Sequence, residues 1–129
     1  MTTKISVEDS CNRLDETWSP RVIATLNGQE VKLVRAKGVF PWHRHDDADE
    51  FFLVWKGQFS VEFRDRRIDM KDGECVLVPR GVEHRTSAAE DAYVLCFEPV
   101  GTVNTGNLPP NDFTAPCGVS ILGPDEAAE

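Results

Sequence analysis

Two segments carry the reading of this chain. The first is Gly38-Val-Phe-Pro-Trp-His43-Arg-His45-Asp-Asp-Ala-Asp-Glu50-Phe-Phe-Leu-Val-Trp-Lys-Gly57. The second is Gly73-Glu-Cys-Val-Leu-Val-Pro79-Arg-Gly81-Val-Glu-His84. The protein has three histidines, His43, His45 and His84, and all lie here. On extended backbone, residues i and i+2 point the same way, so His43 and His45 can reach one ion. Glu50 opens the next strand after the acid-rich Asp46-Asp-Ala-Asp49, and an antiparallel return would bring it to them. Three imidazoles and a carboxylate are a usable ligand set for a divalent transition metal. His84 follows Pro79-Arg-Gly81, which can swing the chain into a tight turn, but periodicity alone does not bring it to the others.

Working outward, Glu50 to Lys56 reads as a strand apolar on both faces. Phe52 and Val54 are in phase with Glu50, and Phe51, Leu53 and Trp55 are out of phase. Such a strand needs cover on two sides. A closed barrel supplies one cover, and a second chain or the N-terminal segment the other. Gln58 to Arg64 alternates as a half-buried strand. Arg67–Met70, Glu74–Val78 and Ala92–Phe97 are shorter strands, with Lys71-Asp-Gly73 as a turn and Pro79 as a stop. Upstream, Asn27-Gly28 joins Arg21–Leu26 to Gln29–Ala36 and predicts a type I′ hairpin. Ser6 and Asp9 predict a capped helix start, and Val7, Cys11 and Leu14 give it one apolar face before Trp18-Ser-Pro20. Beyond Pro99 the chain is loop chemistry, with a short strand expected at Val119–Leu122. The expected organisation is an N-terminal helical segment over 1–20 packed on a barrel over 21–122, with a flexible tail at 123–129. The fold class is all-β, sandwich or barrel.

Length fits one domain of 129 residues with its own core. A net charge of −8 argues against nucleic acid or an anionic membrane surface as partner, since both need clustered cations. No apolar run reaches membrane-spanning length, and the N-terminus lacks a secretory pattern, so the expected location is cytoplasmic. Cys11, Cys75, Cys96 and Cys117 are scattered without a Cys-x-x-Cys pair and read as free thiols.

The two segments resemble the two signature motifs of the cupin superfamily. One reads His-x-His, four residues, Glu, six residues, Gly, filled by His43, His45, Glu50 and Gly57. The other reads Gly, five residues, Pro-x-Gly, two residues, His, filled by Gly73, Pro79, Gly81 and His84. The flanking strands and Asn104-Thr-Gly106 are similar to the small single-domain cupins labelled mannose-6-phosphate-isomerase-like. The resemblance implies a double-stranded β-helix, a jelly-roll barrel with metal in its mouth. It also implies His43, His45, Glu50 and His84 as the ligands. Two positions depart from the pattern: four residues rather than five separate Gly38 from His43, and Ala88 stands where an Asn is frequent.

Such a site leaves positions open on the ion, and Fe, Mn, Ni, Zn and Co suit it about equally. Three roles fit. The first is a metal-dependent oxygenase or isomerase acting on a small oxygen-rich molecule. The second is a non-catalytic binding or sensing module for a sugar or organic acid. The third is a storage or structural role. The first is preferred slightly over the second, and no catalytic acid or base is assigned. Tyr93, Arg35, Lys32, Arg80 and Arg85 are candidates to flank the ion. Arg35 and Lys32 lie on opposite faces of one strand, so only one can face inward, and outward exposure is the default for a charge. Arg80 and Arg85 flank His84 and either attract an anionic substrate at the mouth or balance Glu83 and Asp91. Trp42 and Phe52 are candidate pocket walls. With every histidine committed to metal, Ser/His/Asp or Cys/His nucleophilic chemistry has no base. No organic cofactor is indicated. The two-faced strand 50–56 suggests a homodimer.

Overall fold

A computed structural model describes residues 3–122; the tail expected at 123–129 lies outside them. One short helix, α1 (Val7–Cys11), precedes seven strands: β1 (Arg21–Leu26), β2 (Gln29–Val39), β3 (Glu50–Lys56), β4 (Gln58–Glu62), β5 (Arg67–Lys71), β6 (Cys75–Val78) and β7 (Arg85–Pro99). The strands pair antiparallel in the order β1-β2-β7-β3-β6, with β4 joining β5 to β7. No described helix is long and apolar enough to cross a membrane.

Local chemistry accounts for the ends of these elements. The Ser6 hydroxyl accepts from the Asp9 N–H at 3.1 Å and caps α1. Asn27 and Gly28 take φ of 51° and 76°, as a type I′ turn requires, and pass β1 into β2. The helix is shorter than the apolar spacing predicts, stopping at Cys11, although Leu14 still packs beside it. Val119–Leu122 does not form a full strand. It makes a single parallel bridge from Ser120 to Val22.

The largest difference from the sequence reading is β7, which runs from Arg85 rather than Ala92. Ser87-Ala-Ala-Glu-Asp91 has little strand propensity, and its neighbours impose the conformation. Residues 85–87 pair with β4, whereas residues 93–97 pair with β3, and β2 runs along the opposite edge of both portions. The β2–β7 register shifts between Ala36 and Gly38, a bulge at the place where β7 passes from one neighbour to the other. That bend curls the sheet around its interior.

The interior holds Val34, Phe52, Val54, Phe59, Val61, Val94 and their neighbours. A second cluster lies on the outer face, where Cys11 and Leu14 cover Val31, Leu33 and Leu95, with Leu53, Tyr93 and Phe97 against them. The N-terminal segment therefore supplies the second cover for part of β3. Each fully buried side chain here, such as Leu33 or Val54, stabilises the fold by about 1.5–3 kcal/mol.

Candidate metal centre

His43 and His84 are brought together by an isolated antiparallel bridge, with both N–H···O bonds at 2.9 Å. This pairing delivers the third histidine, which spacing alone did not. His45 lies just past the bridge, outside any regular strand. Its carbonyl accepts the Gly81 N–H at 2.9 Å, which ties it to the Pro79–Gly81 turn. Asn107 holds Arg44 on both sides: its side-chain oxygen accepts the Arg44 N–H at 2.8 Å, and its own N–H donates to the Arg44 carbonyl at 3.0 Å. Gly106 makes that approach feasible, since a Cβ there would collide with the Arg44 carbonyl oxygen. Glu50 enters from the start of β3, on the interior face with Phe52 and Val54.

All four residues are buried, and each offers one ligand atom, all within 4.8 Å of one another. Metal–nitrogen bonds near 2.1 Å place ligand atoms roughly 3 to 4 Å apart, so the spacing suits a single ion. The hydrogen bonds suit it too. His43 Nδ1 lies 2.8 Å from the Pro41 carbonyl and His84 Nδ1 2.9 Å from the Val82 carbonyl, so each Nδ1–H donates outward and turns Nε2 inward. His45 Nε2 and His84 Nε2 each lie 3.4 Å from Glu50 Oε1. These three buried atoms have no hydrogen-bond partner. Orphaned lone pairs facing one point are costly unless something binds there. Burial, aided by the neighbouring His84, pushes His43 down to about 4, which keeps it a neutral donor at neutral pH. Burial opposes the charge on Glu50, but His45 and His84 outweigh it and hold the carboxyl below its ordinary range.

Beside the cluster lies a cavity of about 40 Å³ bordered by His43, Glu50, Phe40, Phe52, Lys32 and Glu98. Of Lys32 and Arg35, Lys32 is the one that faces inward, against the outward default. It is 3% exposed, and its ammonium donates to Glu98 Oε1 at 2.9 Å and to the Thr102 carbonyl at 3.2 Å, with Glu30 Oε1 at 3.6 Å. Burial works against its charge, but Glu98 and Glu30 raise its pKa on balance. Burial and the Glu50 carboxylate push Glu98 well above the ordinary carboxyl range. Glu30 and Glu98 were not singled out in the sequence, yet a signal existed. Glu30 and Lys32 share the phase of Val34 and Ala36 on β2, and Glu98 that of Val94 and Cys96 on β7.

The remaining candidates stand away from the cavity, apart from Phe52. Arg35 pairs outward with Asp91 at 2.9 Å, and Tyr93 joins the outer cluster. Arg80 pairs with Asp49 and Arg85 with Glu62, not with Glu83 and Asp91. Trp42 is not a cavity wall; Arg64 and Arg85 stack over its ring at 3.8 and 4.9 Å.

Residues 24–98 match the cupin domain family, and the chain belongs to it. Its fold is that family's jelly-roll barrel with a short N-terminal helix. A cupin-2 domain containing protein from Shewanella frigidimarina is 41% identical, and its crystal structure aligns over 74% of this chain and 93% of that one with a TM-score of 0.72. The uncharacterized protein YdbB of Bacillus subtilis is 32% identical over 88 residues, 67% of this chain and 78% of YdbB. An acireductone dioxygenase of Gallus gallus is 33% identical over 90 residues, 63% of this chain and 49% of the dioxygenase.

Proposed function

We propose that the protein is a metal-dependent enzyme of oxygenase or isomerase type acting on a small oxygen-rich molecule. His43, His45, Glu50 and His84 hold one divalent ion of iron, manganese, nickel, zinc or cobalt. The observation that carries this reading is the set of orphaned inward atoms on His45, Glu50 and His84, next to a cavity that also borders His43. A bound ion would supply a Lewis acid with open positions for substrate or O₂. The chain's own part is to hold the histidine tautomers, exclude bulk water with Phe40 and Phe52, and shape the ligand chamber. The likeness to an acireductone dioxygenase supports the oxygenase branch.

Two further assignments go with this reading. Four free cysteines, two of them exposed, suit the reducing cytoplasm. Phe51, Leu77 and Phe97 form a strip on the outer face, with Leu77 54% exposed, and support a homodimer through that strip.

Elemental analysis of protein purified without affinity tag or chelator tests the reading. It should find about one equivalent of transition metal per chain. Oxygen uptake or product formation with small diols and keto acids then separates an enzyme from a non-catalytic sugar- or acid-binding cupin, for which ligand binding without turnover is the expected result. A protein that neither carries metal nor takes any up overturns the proposal.

A further inference from the structure

Five hydroxyl side chains are buried among the described residues: Ser10, Ser19, Ser60, Thr86 and Thr105. Ser10 donates to the Ser6 carbonyl at 2.8 Å, Ser19 accepts from Arg21 at 2.7 Å, Ser60 donates to Asp69 at 2.6 Å, and Thr105 pairs with Thr114 at 3.0 Å. Thr86 alone of the five makes no side-chain hydrogen bond. It is 4% exposed and borders the cavity beside the metal cluster. Its oxygen is not sealed as Glu98 Oε2 is, so the surface it keeps opens on that cavity. Strand geometry puts it there. His84, Thr86 and Ala88 alternate onto the interior face as the chain enters β7, each roughly 6–7 Å from the next. The Thr86 carbonyl accepts the Phe40 N–H at 2.9 Å, and Val61 of β4 is opposite. With the backbone held on both sides and a β-branched side chain stiff at χ1, the hydroxyl is preset. A valine would fill the same shape with no donor to satisfy, so a hydroxyl here gains only if something pairs with it. The other polar groups around the cavity are engaged. Lys32 donates to Glu98 and Thr102. Asn104 donates to the Phe113 and Trp18 carbonyls and accepts the Ala115 N–H. His43 and Glu50 belong to the ligand set, and Cys96 offers only a weak S–H donor.

We propose that Thr86 is a substrate-binding residue, whose hydroxyl pairs with a hydroxyl or carbonyl at the end of the molecule remote from the ion. The substrate class that follows is a short bifunctional molecule, with a metal-binding atom at one end and a neutral polar group at the other. The inference rests on the metal reading, which supplies the first anchor. A threonine hydroxyl both donates and accepts, so it takes either kind of polar group. The cavity volume of about 40 Å³ admits roughly three water-sized groups beyond the ion-bound atom.

2-Mercaptoethanol and 1-propanethiol form a matched pair of probes. The sulfur anchors either one on cobalt(II), and the far end is a hydroxyl in one and a methyl in the other. Binding to cobalt(II)-loaded protein is followed by the sulfur-to-metal absorption band, a readout independent of turnover. The parent should bind 2-mercaptoethanol at least about threefold tighter than 1-propanethiol. Thr86→Val makes the same hydroxyl-to-methyl exchange on the protein side and should lower that ratio at least about fivefold, whereas Thr86→Ser should keep it within about twofold. Equal or tighter binding of 1-propanethiol by the parent, or binding of neither probe, overturns the inference. So does an unchanged ratio in a folded Thr86→Val protein. The parent comparison needs no variant to fold. Cobalt content measured on the same samples keeps the two readings apart. Protein that holds cobalt without this discrimination defeats the Thr86 contact alone. Protein that takes up no cobalt defeats the metal reading and the inference with it.

Discussion

His84 is wholly buried, its Nδ1 anchored to the Val82 carbonyl and its Nε2 aimed at Glu50. It is the ligand candidate contributed from farthest along the chain, and its loss leaves two imidazoles and one carboxylate. His84→Ala should therefore lower metal affinity by more than the roughly 10–100-fold that outer hydrogen-bond partners cost. Equal metal content in variant and parent by elemental analysis would refute the four-ligand set. His43 makes a different prediction, in the metal-free protein. Its pKa falls from an ordinary 6.5 to about 4 on folding, mainly through burial. Above 6.5 it is neutral in both states and contributes no slope. Between 6.5 and 4 the unfolded chain takes up a proton that the fold refuses, so stability drops as pH falls and levels off for this group below 4. The loss attributable to it is about 3 kcal/mol. Denaturant melts at pH 7 and pH 4.5 measure it, and His43→Leu should remove most of the difference if the protein refolds.

At the scale of elements, the site depends on segments that are not regular strands. His45 is held by the clamp of Gly81, Gly106 and Asn107 on residues 44–45, not by a ladder. Gly106 sits at φ 57°, where an L side chain is strained, and a Cβ would strike the Arg44 carbonyl. Gly106→Ala should cost about 1–3 kcal/mol and displace the loop carrying His45. Urea melts and a metal-competition titration should both register the change. A variant matching the parent in both would show that this clamp does not position His45. The two halves of β7 illustrate a related dependence. Tyr93 to Phe97 has its own strand propensity, whereas Ser87 to Asp91 is extended because β2 and β4 flank it.

For the molecule as a whole, the chain itself covers only part of the apolar outer face of β3. The N-terminal segment takes Leu53 through Cys11 and Leu14. Glu8 reaches Trp55 Nε1 at 3.0 Å and Lys56 Nζ at 2.7 Å and holds the segment's edge. Phe51 and Leu77, with Phe97 at the border of the N-terminal cluster, form the strip through which the homodimer is proposed. Sedimentation velocity at micromolar concentration should find a dimer in the parent and a monomer in Leu77→Glu. A monomeric parent would remove the dimer. This face lies opposite the interior face that bears Glu50, so Leu77→Glu should leave metal content unchanged.

Much of this was legible in residue order because its cause is local. The strand phases of 50–56 and 58–62, the Asn27-Gly28 turn and the Ser6 cap follow from side-chain alternation and backbone preference within a few residues. The spacing of His43, His45 and Glu50 named three candidate ligands by the same short-range geometry. His84 was legible only through the resemblance to a family motif. What brings it in is a bridge to His43 across 41 positions, a pairing that no local preference encodes. That Lys32 and not Arg35 faces inward, with Glu98 and Glu30 around it, was not decided by residue order for a similar reason. An isolated charge is expected outside, and only the register of β2 against β7 reveals that the ammonium arrives inside with its counter-charges. Residue order thus determined the elements and most of the candidate ligands, while the tertiary structure decided which charges face inward, because burial of a charge depends on partners supplied from distant strands.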